Sequence, residues 1–348
     1  MPTKNNFNIP LDKFIDLALY DKEIGYYMNN NPFGKDGDFI TAPNLSRLFS
    51  ETIAIWIIGF WENLGSPKNF NLVELGAGNG SMMKILIETF KKFPNFIKFC
   101  NIIIHEKSPK LIKIQKKELI QEKIIWVSDI KKIKNNPTIF IANEFFDSIA
   151  IKQFVKINKL WFEKYVNIKN KKKPFFLNKK IDMKKFEKKI DYGISKDQNF
   201  IEYSLLGAKY LKKIANIIKK NNGGLLIIDY GYPEKKMKNT LKAISNHKYK
   251  NILKNIGKSD ITYNINFYLF KRIIQKLGGL KNITTTQGDF LVKMGIKKRA
   301  DIISRNKDFS KKADIYFRLK RLIDEKHMGN LFKVMFIKKQ KNNFKLGF

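Results

Sequence analysis

Glycines and acidic residues at short, regular spacing are the residues of this sequence that most directly suggest chemistry. Gly76, Gly78 and Gly80 alternate with other residues, and Glu74 stands two positions before the first of them. Glycine lacks a Cβ atom, so the main chain of such a run can turn tightly and lie against a ligand. A helix that starts directly after the run offers unpaired N–H groups and a partial positive charge. The run therefore predicts a site for a carboxylate or phosphate group.

The spacing of the glycines indicates which cofactor this loop binds. Nicotinamide and flavin sites favour G-x-G-x-x-G, but here the third glycine comes one position early and Ser81 stands where that pattern has glycine. A G-x-G-x-G run preceded by an acid is instead the pattern of class I methyltransferases, which bind S-adenosyl-L-methionine. The alternative is an ordinary turn between a strand and a helix, without a ligand. The predicted cofactor contacts in this loop are Glu74, Gly76, Ala77, Gly78 and Gly80.

Two further acids follow the next two predicted strands. Glu106 comes at the end of the second strand, where a carboxylate can accept hydrogen bonds from both hydroxyl groups of a ribose. Asp129 follows the third strand and can reach the edge of an adenine ring. We predict that both residues contact the cofactor. The alternative is that each carboxylate caps the helix that follows it.

Residues 142–147, after the fourth predicted strand, indicate the substrate chemistry. In an open α/β sheet, ligands bind beyond the carboxyl ends of the strands, where the strand order reverses. Glu144 and Asp147 lie there, three residues apart around two phenylalanines, and this arrangement suits a guanidinium group. We predict that Glu144 and Asp147 are catalytic and that Asn143 contacts the cofactor. The alternative is that Asp147 caps a helix and that the phenylalanines belong to the core.

Short apolar segments that alternate with helical patterns predict the sheet that positions these residues. The predicted strands are 71–75, 101–105, 124–127 and 138–142, and helical patterns cover 81–93 and 109–121. This rhythm is typical of a parallel sheet with helices on both faces. The predicted fold class is therefore α/β and Rossmann-like.

The rhythm also divides the chain into predicted regions. An N-terminal helical cap precedes the cofactor-binding half, and an insertion with a hairpin and a lysine-rich stretch separates it from the second half, which opens with a predicted helix over 200–221. The predicted boundaries are 1–65 for the cap, 66–150 for the first half, 151–198 for the insertion and 199–348 for the second half.

Composition excludes several classes of protein. The net charge is +37, but only six of the 68 basic residues are arginine, and A/T-rich codons for Lys, Asn and Ile are a sufficient cause. Nucleic-acid readers favour arginine, so nucleic acid is an unlikely partner. No apolar run is long enough to span a membrane. The single cysteine excludes an internal disulfide, and no Cys/His cluster has metal-ligand spacing, so we predict no metal site.

Several motifs together resemble the MidA-like family of methyltransferases, whose mitochondrial members are assembly factors for respiratory complex I. The motifs span nearly the whole chain. They are Gly25-Tyr26-Tyr27, Gly37-Asp38-Phe39-Ile40-Thr41-Ala42-Pro43, Glu74 to Gly80, Asn143-Glu144-Phe145-Phe146-Asp147-Ser148, Ile228-Asp229-Tyr230-Gly231, Thr286-Gln287-Gly288-Asp289-Phe290-Leu291 and Met328-Gly329 through Phe332-Lys333-Val334.

The resemblance implies a seven-stranded class I methyltransferase sheet and S-adenosyl-L-methionine as the donor. It implies a protein arginine side chain as the acceptor, in the complex I subunit that carries the quinone-site region or in a bacterial counterpart. We predict that Asp38 and Thr41 bind the cofactor, in a glycine-containing loop that could close over it. The alternative is an ordinary turn capped by Asp38. The expected location is the cytoplasm of a bacterium or the mitochondrial matrix of a eukaryote.

Other interpretations of the same residues stay open. The chain could keep a methyltransferase fold as an assembly or binding protein without transferring methyl groups, although the intact acids and glycines argue against this. An RNA methyltransferase is a weaker alternative, since the motif around Glu144 is not the Asn-Pro-Pro-Tyr type that stacks flipped bases. The aromatic residues of a predicted helix over 45–64 belong either to the core or to the face of a homodimer.

Overall fold

The computed structural model describes residues 7–29, 41–169, 173–245 and 248–348. The helices are α1 (Leu11–Tyr20), α2 (Tyr26–Asn29), α3 (Ala42–Leu45), α4 (Arg47–Asn63), α5 (Ser81–Phe90), α6 (Pro94–Phe99), α7 (Pro109–Glu118), α8 (Met183–Ile190), α9 (Leu205–Asn221), α10 (Phe267–Leu277), α11 (Gln287–Lys293), α12 (Ile296–Ser304), α13 (Phe309–Ile323) and α14 (Met328–Leu331). The strands are β1 (Asn8–Pro10), β2 (Phe70–Leu75), β3 (Cys100–His105), β4 (Ile124–Val127), β5 (Thr138–Asn143), β6 (Lys152–Ile157), β7 (Leu160–Asn167), β8 (Phe175–Lys180), β9 (Phe200–Tyr203), β10 (Gly223–Tyr232), β11 (Lys242–Ser245), β12 (Lys248–Lys250), β13 (Asp260–Thr262), β14 (Ile265–Asn266), β15 (Leu280–Thr286) and β16 (Phe332–Lys339).

Seven strands form the central sheet in the order β4-β3-β2-β5-β10-β16-β15. The first five run parallel, whereas β16 runs antiparallel to both of its neighbours. The short strand β14 pairs with the end of β10, so the complete sheet has eight strands. The parallel part has the strand order of a Rossmann-like sheet. The predicted α/β fold and its seven-stranded path are confirmed, with β14 as an addition.

The strand order reverses between β2 and β5, and this places the crevice of the sheet between their carboxyl ends. Both strands are buried along almost their whole length, because helices cover both faces of the sheet. One apolar core lies on the face covered by α1, α9 and α10, and a second lies on the face covered by α4 and α5. The ends of β2 and β5 are therefore held on a rigid scaffold.

The aromatic residues of α4 belong to the second core. Trp56 and Phe60 are fully buried, and their rings pack against Phe336 of the antiparallel strand. The Trp56 indole N–H donates to the main-chain oxygen of Leu346 at 3.0 Å. These aromatic side chains therefore fill the interior of one chain and do not form a free face; the homodimer itself stays a prediction.

The predicted helix over 200–221 is wrong at its beginning. Residues Phe200–Tyr203 form the strand β9, which pairs antiparallel with β6, and the helix α9 begins only after Ser204. Ser204 caps the helix by accepting a hydrogen bond from the N–H of Gly207 at 3.0 Å. The apolar residues of β9 continue the helical pattern in the sequence, so only the pairing with β6 separates the two elements.

Residues 151–198 build a separate antiparallel sheet beside the central one. The predicted hairpin is confirmed as β6 and β7, and the polar stretch after it contains β8 and the helix α8. The N-terminal strand β1 pairs with β7 in the same sheet. A third, three-stranded sheet has the order β12-β11-β13. In the described part of the chain, no helix is both long and apolar enough to cross a membrane.

Candidate active site

Two cavities lie on either side of the glycine loop at the crevice. The larger has a volume of about 220 Å³ and the smaller about 50 Å³. Gly76, Gly78 and Glu144 line both of them, so a single elongated ligand could pass between the two along the main chain of the loop. The wall of the larger cavity also includes Tyr20, Tyr27, His105, Glu106 and Tyr210, and that of the smaller one includes Thr41, Glu74, Ala77 and Asn143.

The glycine loop adopts a conformation that needs glycine. Gly76, Gly78 and Gly80 have φ angles of +67°, +54° and +87°, and a side chain is strained in this region. A Cβ atom on Gly76 would stand 2.9 Å from the ring of Phe145. Gly80 is the N-cap of α5, so the loop runs directly into a helix N-terminus. The loop therefore presents bare main chain to both cavities.

Two buried polar atoms beside the loop lack a partner among the described residues. They are Oε2 of Glu74 and Oδ1 of Asn143, and both side chains line the smaller cavity. Burial raises the pKa of the Glu74 carboxyl to about 8, and the negative charge of Glu106 adds to this shift. Buried acceptors normally have a hydrogen-bond donor. The donor set that would satisfy them is a ligand ammonium or amide group, and the cationic amine of S-adenosyl-L-methionine fits this requirement.

The structure places Thr41 at the smaller cavity, where it is 8% exposed and forms the N-cap of α3. Its predicted neighbour Asp38 lies outside the described residues. The closure of this loop over the cofactor stays a prediction. Thr41 lies at the cavity that a closed loop would cover.

Glu106 lines the larger cavity and also caps the segment after β3. Its Oε1 accepts hydrogen bonds from the N–H groups of Lys107 and Ser108, at 2.7 and 2.9 Å. Its Oε2 accepts one from the side chain of Gln115 at 3.2 Å. Burial raises the pKa of Glu106, and these hydrogen bonds oppose that shift. The capping and cofactor interpretations are therefore compatible, since the caps fix the carboxylate at the cavity wall.

Asp129 stands apart from the other predicted cofactor contacts. Its carboxylate accepts a hydrogen bond from the N–H of Lys131 at 3.0 Å and caps the 3-10 helix Ile130–Lys132. It also lies 3.7 Å from the ammonium of Lys213 at the surface, and it is not among the residues that line either cavity. Its contact with adenine stays a prediction.

Glu144 occupies the position between the two cavities. It follows β5 with a φ angle of +49°, an uncommon conformation for a residue with a side chain. Burial raises the pKa of its carboxyl to about 8, and the nearby Asp147 adds to this shift. The Asn143 amide and the main-chain N–H of Ala42 donate hydrogen bonds to the carboxylate. A buried carboxylate held in this way can accept hydrogen bonds from a cation that enters the crevice.

Asp147 lies behind Glu144 and belongs to a buried group of acids. Its Oδ2 accepts a hydrogen bond from the Thr262 hydroxyl at 2.9 Å, and its N–H donates to Oδ2 of Asp229 at 3.4 Å. Burial raises the pKa of Asp147 to about 6. Asp147 is not among the residues that line either cavity, and its predicted catalytic role stays a prediction.

Several residues of the site did not emerge from the sequence as chemical candidates. His105 is buried at the cavity wall, with Nε2 3.3 Å from the Tyr210 hydroxyl, and burial lowers its pKa to about 4. The Tyr27 hydroxyl donates to Oδ1 of Asp260 at 2.9 Å. The sequence did contain a signal for Tyr27 and Asp229, because both residues lie in motifs that resemble the methyltransferase family. The sequence around His105 and Tyr210 contains no such signal.

Known proteins resemble this chain over most of its length. The mitochondrial protein arginine methyltransferase NDUFAF7 of Xenopus laevis is 28% identical over 95% of this chain and 81% of its own length, and the human protein of that name is 28% identical over 91% and 78%. A crystal structure of a Burkholderia thailandensis protein bound to S-adenosyl-homocysteine superposes with a TM-score of 0.81 at 22% identity, over 98% of this chain and 90% of that one. At this identity the structure supports the fold.

The family model described as "putative S-adenosyl-L-methionine-dependent methyltransferase" matches residues 52–285, two thirds of the chain. The matched region contains the glycine loop, the acids after the parallel strands and the segment that carries Thr262. The crevice, the glycine loop with its positive φ angles and the unpartnered acceptors agree with that match. The chain therefore belongs to this family of S-adenosyl-L-methionine-dependent methyltransferases.

Proposed function

We propose that this methyltransferase transfers a methyl group from S-adenosyl-L-methionine to an arginine side chain of a protein. The observation that carries the proposal is the group of buried carboxylates around Glu144, with Asp147 and Asp229 behind it and tyrosine rings beside it. A guanidinium favours carboxylate partners and aromatic faces. This combination at the strand end that follows the cofactor loop suits a cationic acceptor.

The names of the relatives support the same acceptor. Those relatives are protein arginine methyltransferases of mitochondria, and they match more than nine tenths of this chain. We infer a protein substrate, with the quinone-site subunit of complex I or its bacterial counterpart as the candidate. The corresponding location is a bacterial cytoplasm or a mitochondrial matrix.

The described residues fit the cofactor in a defined orientation. Glu74 and Asn143 would hold the amine end in the smaller cavity, and the main chain of Gly76 and Gly78 would lie along the ligand. Glu106 would accept hydrogen bonds from the ribose hydroxyls in the larger cavity. S-adenosyl-L-methionine supplies an electrophilic methyl group and a good leaving group, so the protein has to supply positioning and electrostatics.

Glu144 is the residue that would position the acceptor. Its carboxylate accepts hydrogen bonds from the guanidinium and directs one nitrogen toward the cofactor. A guanidinium remains protonated in water, so the attacking nitrogen loses a proton to solvent or to a carboxylate when the new N–C bond forms. Without a ligand beside it, burial raises the pKa of the Glu144 carboxyl to about 8; the positive charge of a bound guanidinium would lower this pKa and favour the carboxylate, which can then accept the proton.

The proposal is tested by methyl transfer to proteins from a lysate that lacks this enzyme. Isotope-labelled S-adenosyl-L-methionine is supplied, and the labelled residues are mapped by mass spectrometry. We expect label on arginine, and we expect Glu144→Gln to slow transfer about 100-fold because the neutral amide cannot pair with the guanidinium. Binding of S-adenosyl-homocysteine, measured by calorimetry, should stay close to that of the unmodified protein.

An exposed glutamate provides the control. Glu118 forms a surface ion pair with Lys84 at 2.7 Å, so Glu118→Gln should leave transfer unchanged. Label on another residue type would contradict the arginine proposal. Cofactor binding without any transfer would favour the alternative of an assembly or binding protein that does not transfer methyl groups. Unchanged turnover in Glu144→Gln would show that Glu144 has no role in the mechanism.

A further inference from the structure

Lys242 lies over the ring of Tyr230, near the buried acids of the proposed acceptor site. Its Nζ atom lies 5.0 Å from the centre of the Tyr230 ring, and the Phe332 ring packs against the same tyrosine at a centroid distance of 4.0 Å. Tyr230 directly follows Asp229 on β10. The pKa of Tyr230 is raised by burial and then by the negative charges of Glu144 and Asp147, so its hydroxyl shares their surroundings.

The strand pairing fixes Lys242 on the side of these acids. In the three-stranded sheet, Lys242 stands opposite Thr262, and Ile244 stands opposite Asp260. Opposite residues of an antiparallel pair, and residues two apart on one strand, project to the same face. Lys242, Thr262 and Asp260 therefore share one face, and the Thr262 hydroxyl on that face donates to Asp147 at 2.9 Å.

The ammonium is only partly solvated there. Lys242 is half-buried, Asp147 is 7% exposed and Asp260 is 5% exposed. Burial lowers the pKa of Lys242, and the negative charges of Asp147 and Asp260 oppose that shift. A tyrosine face with buried carboxylates nearby is also an environment that favours a substrate guanidinium.

We propose that Lys242 is an internal competitor for the acceptor site, which the guanidinium of the substrate displaces from Tyr230 and the acid group. This inference rests on the proposed function, because it takes the acceptor to be a guanidinium. While no substrate is bound, the ammonium of Lys242 partly neutralises the acids. A cation that binds the acids only weakly does not displace this ammonium. Lys242 is thus a specificity-determining residue that touches neither cofactor nor methyl group.

A lysine outside the site offers a matched control. Lys238 also stands over a tyrosine, with Nζ 4.9 Å from the Tyr232 ring, and it pairs with Glu234 at 3.3 Å. Both side chains of that pair are more than half exposed, at 56% and 55%. Lys238 shares the contact type of Lys242 without the buried acids, so a substrate cation should not displace it.

The displacement can be measured without any assay of transfer. The full-length protein, saturated with S-adenosyl-homocysteine, is treated briefly with acetic anhydride, and acetylation of each lysine is quantified by mass spectrometry. The probe is guanidinium chloride far below denaturing concentration, compared with sodium chloride at equal ionic strength. Guanidinium should raise the acetylation of Lys242 severalfold and leave that of Lys238 unchanged. Equal acetylation of Lys242 in the two salts would overturn the proposal.

Kinetics provide the second measurement, with the arginine peptide found in the transfer experiment. Lys242→Met should lower KM about fivefold, equivalent to about 1 kcal/mol, with kcat little changed. Lys242→Arg, which keeps the cation, should retain the original KM, and Lys238→Met should match the unmodified protein. An unchanged or higher KM in Lys242→Met would contradict the proposal. If no arginine peptide accepts methyl groups, the proposed function fails by itself, and the acetylation experiment still decides the role of Lys242.

Discussion

The cofactor half and the acceptor half of the crevice meet at Glu144 but are built in different ways. The cofactor half consists mainly of one continuous run, Glu74 to Gly80, at the end of a single strand. The acceptor half brings together side chains from distant parts of the chain, such as Asp147 and Thr262, which are 115 positions apart. Local sequence therefore builds the first half, and tertiary packing builds the second.

The two halves also differ in what they offer a ligand. The glycine loop presents main chain, and its function depends on the absence of side chains at Gly76, Gly78 and Gly80. The acceptor half concentrates carboxylates in a buried place, and burial raises the pKa values of Glu144, Asp147 and Asp229. Binding of the cofactor should thus respond to steric changes, whereas binding of the acceptor should respond to charge and pH.

The largest expected effect is a loss of cofactor affinity in Gly76→Ala. The new Cβ atom would stand 2.9 Å from the Phe145 ring, on a residue with φ of +67°. We expect S-adenosyl-homocysteine to bind about 100-fold more weakly in calorimetry, since strain and displacement of the ring together cost about 3 kcal/mol. Gly295 is the control: its φ is +83° but nothing lies within 4 Å, so Gly295→Ala should leave affinity unchanged. Equal affinities in the two variants would break the steric account of the loop.

The next effect tests how the acceptor half is held together. Asp229 is fully buried and accepts hydrogen bonds from the N–H groups of Phe146, Asp147 and Tyr230. We expect Asp229→Ala to lower the free energy of unfolding by about 3 kcal/mol in urea titrations, because buried donors would lose their acceptor.

Two other variants calibrate this loss. Asp229→Asn keeps one acceptor oxygen and should recover part of the stability. Asp308 also accepts a hydrogen bond from a main-chain N–H, that of Lys311, but at an exposed helix end, so Asp308→Ala should lower the free energy of unfolding much less than Asp229→Ala does. Similar losses at Asp229 and Asp308 would show that the acid group does not hold the acceptor half together.

The smallest effect concerns the pH dependence of stability in the cofactor half. The pKa of Glu74 is raised from 4.5 to about 8 in the folded protein, mainly by burial. Folding therefore favours the protonated carboxyl: this contribution is fully present below the unfolded pKa and is lost as the pH rises through about 8. The side chain of Glu74→Gln cannot ionise. Between pH 6 and pH 9, the free energy of unfolding of this variant should therefore fall by about 2 kcal/mol less than that of the unmodified protein. Parallel pH profiles of the two proteins would contradict this.

Sequence reasoning placed the glycine loop correctly between a strand and a helix, because its signals are local. Spacing alone identified the glycine loop, and the alternation of strands and helices placed Glu74, Glu106 and Glu144 at strand ends. The error at residues 200–221 has the opposite origin: the apolar pattern of β9 continues that of α9, and only pairing with a distant strand makes the first part extended. The position of Asp129 at the surface also follows from packing that its own segment does not reveal.

The sequence by itself determined the parallel sheet, the glycine loop and the presence of acids after the strands, because strand periodicity and the freedom of glycine act over a few residues. Only the tertiary structure decided which acids form one group, that His105 and Tyr210 line the cavity, and that Lys242 lies over Tyr230 beside the acids. Burial and the proximity of charges depend on which elements pack together, and the strand order that brings β2 next to β5 is a property of the whole chain.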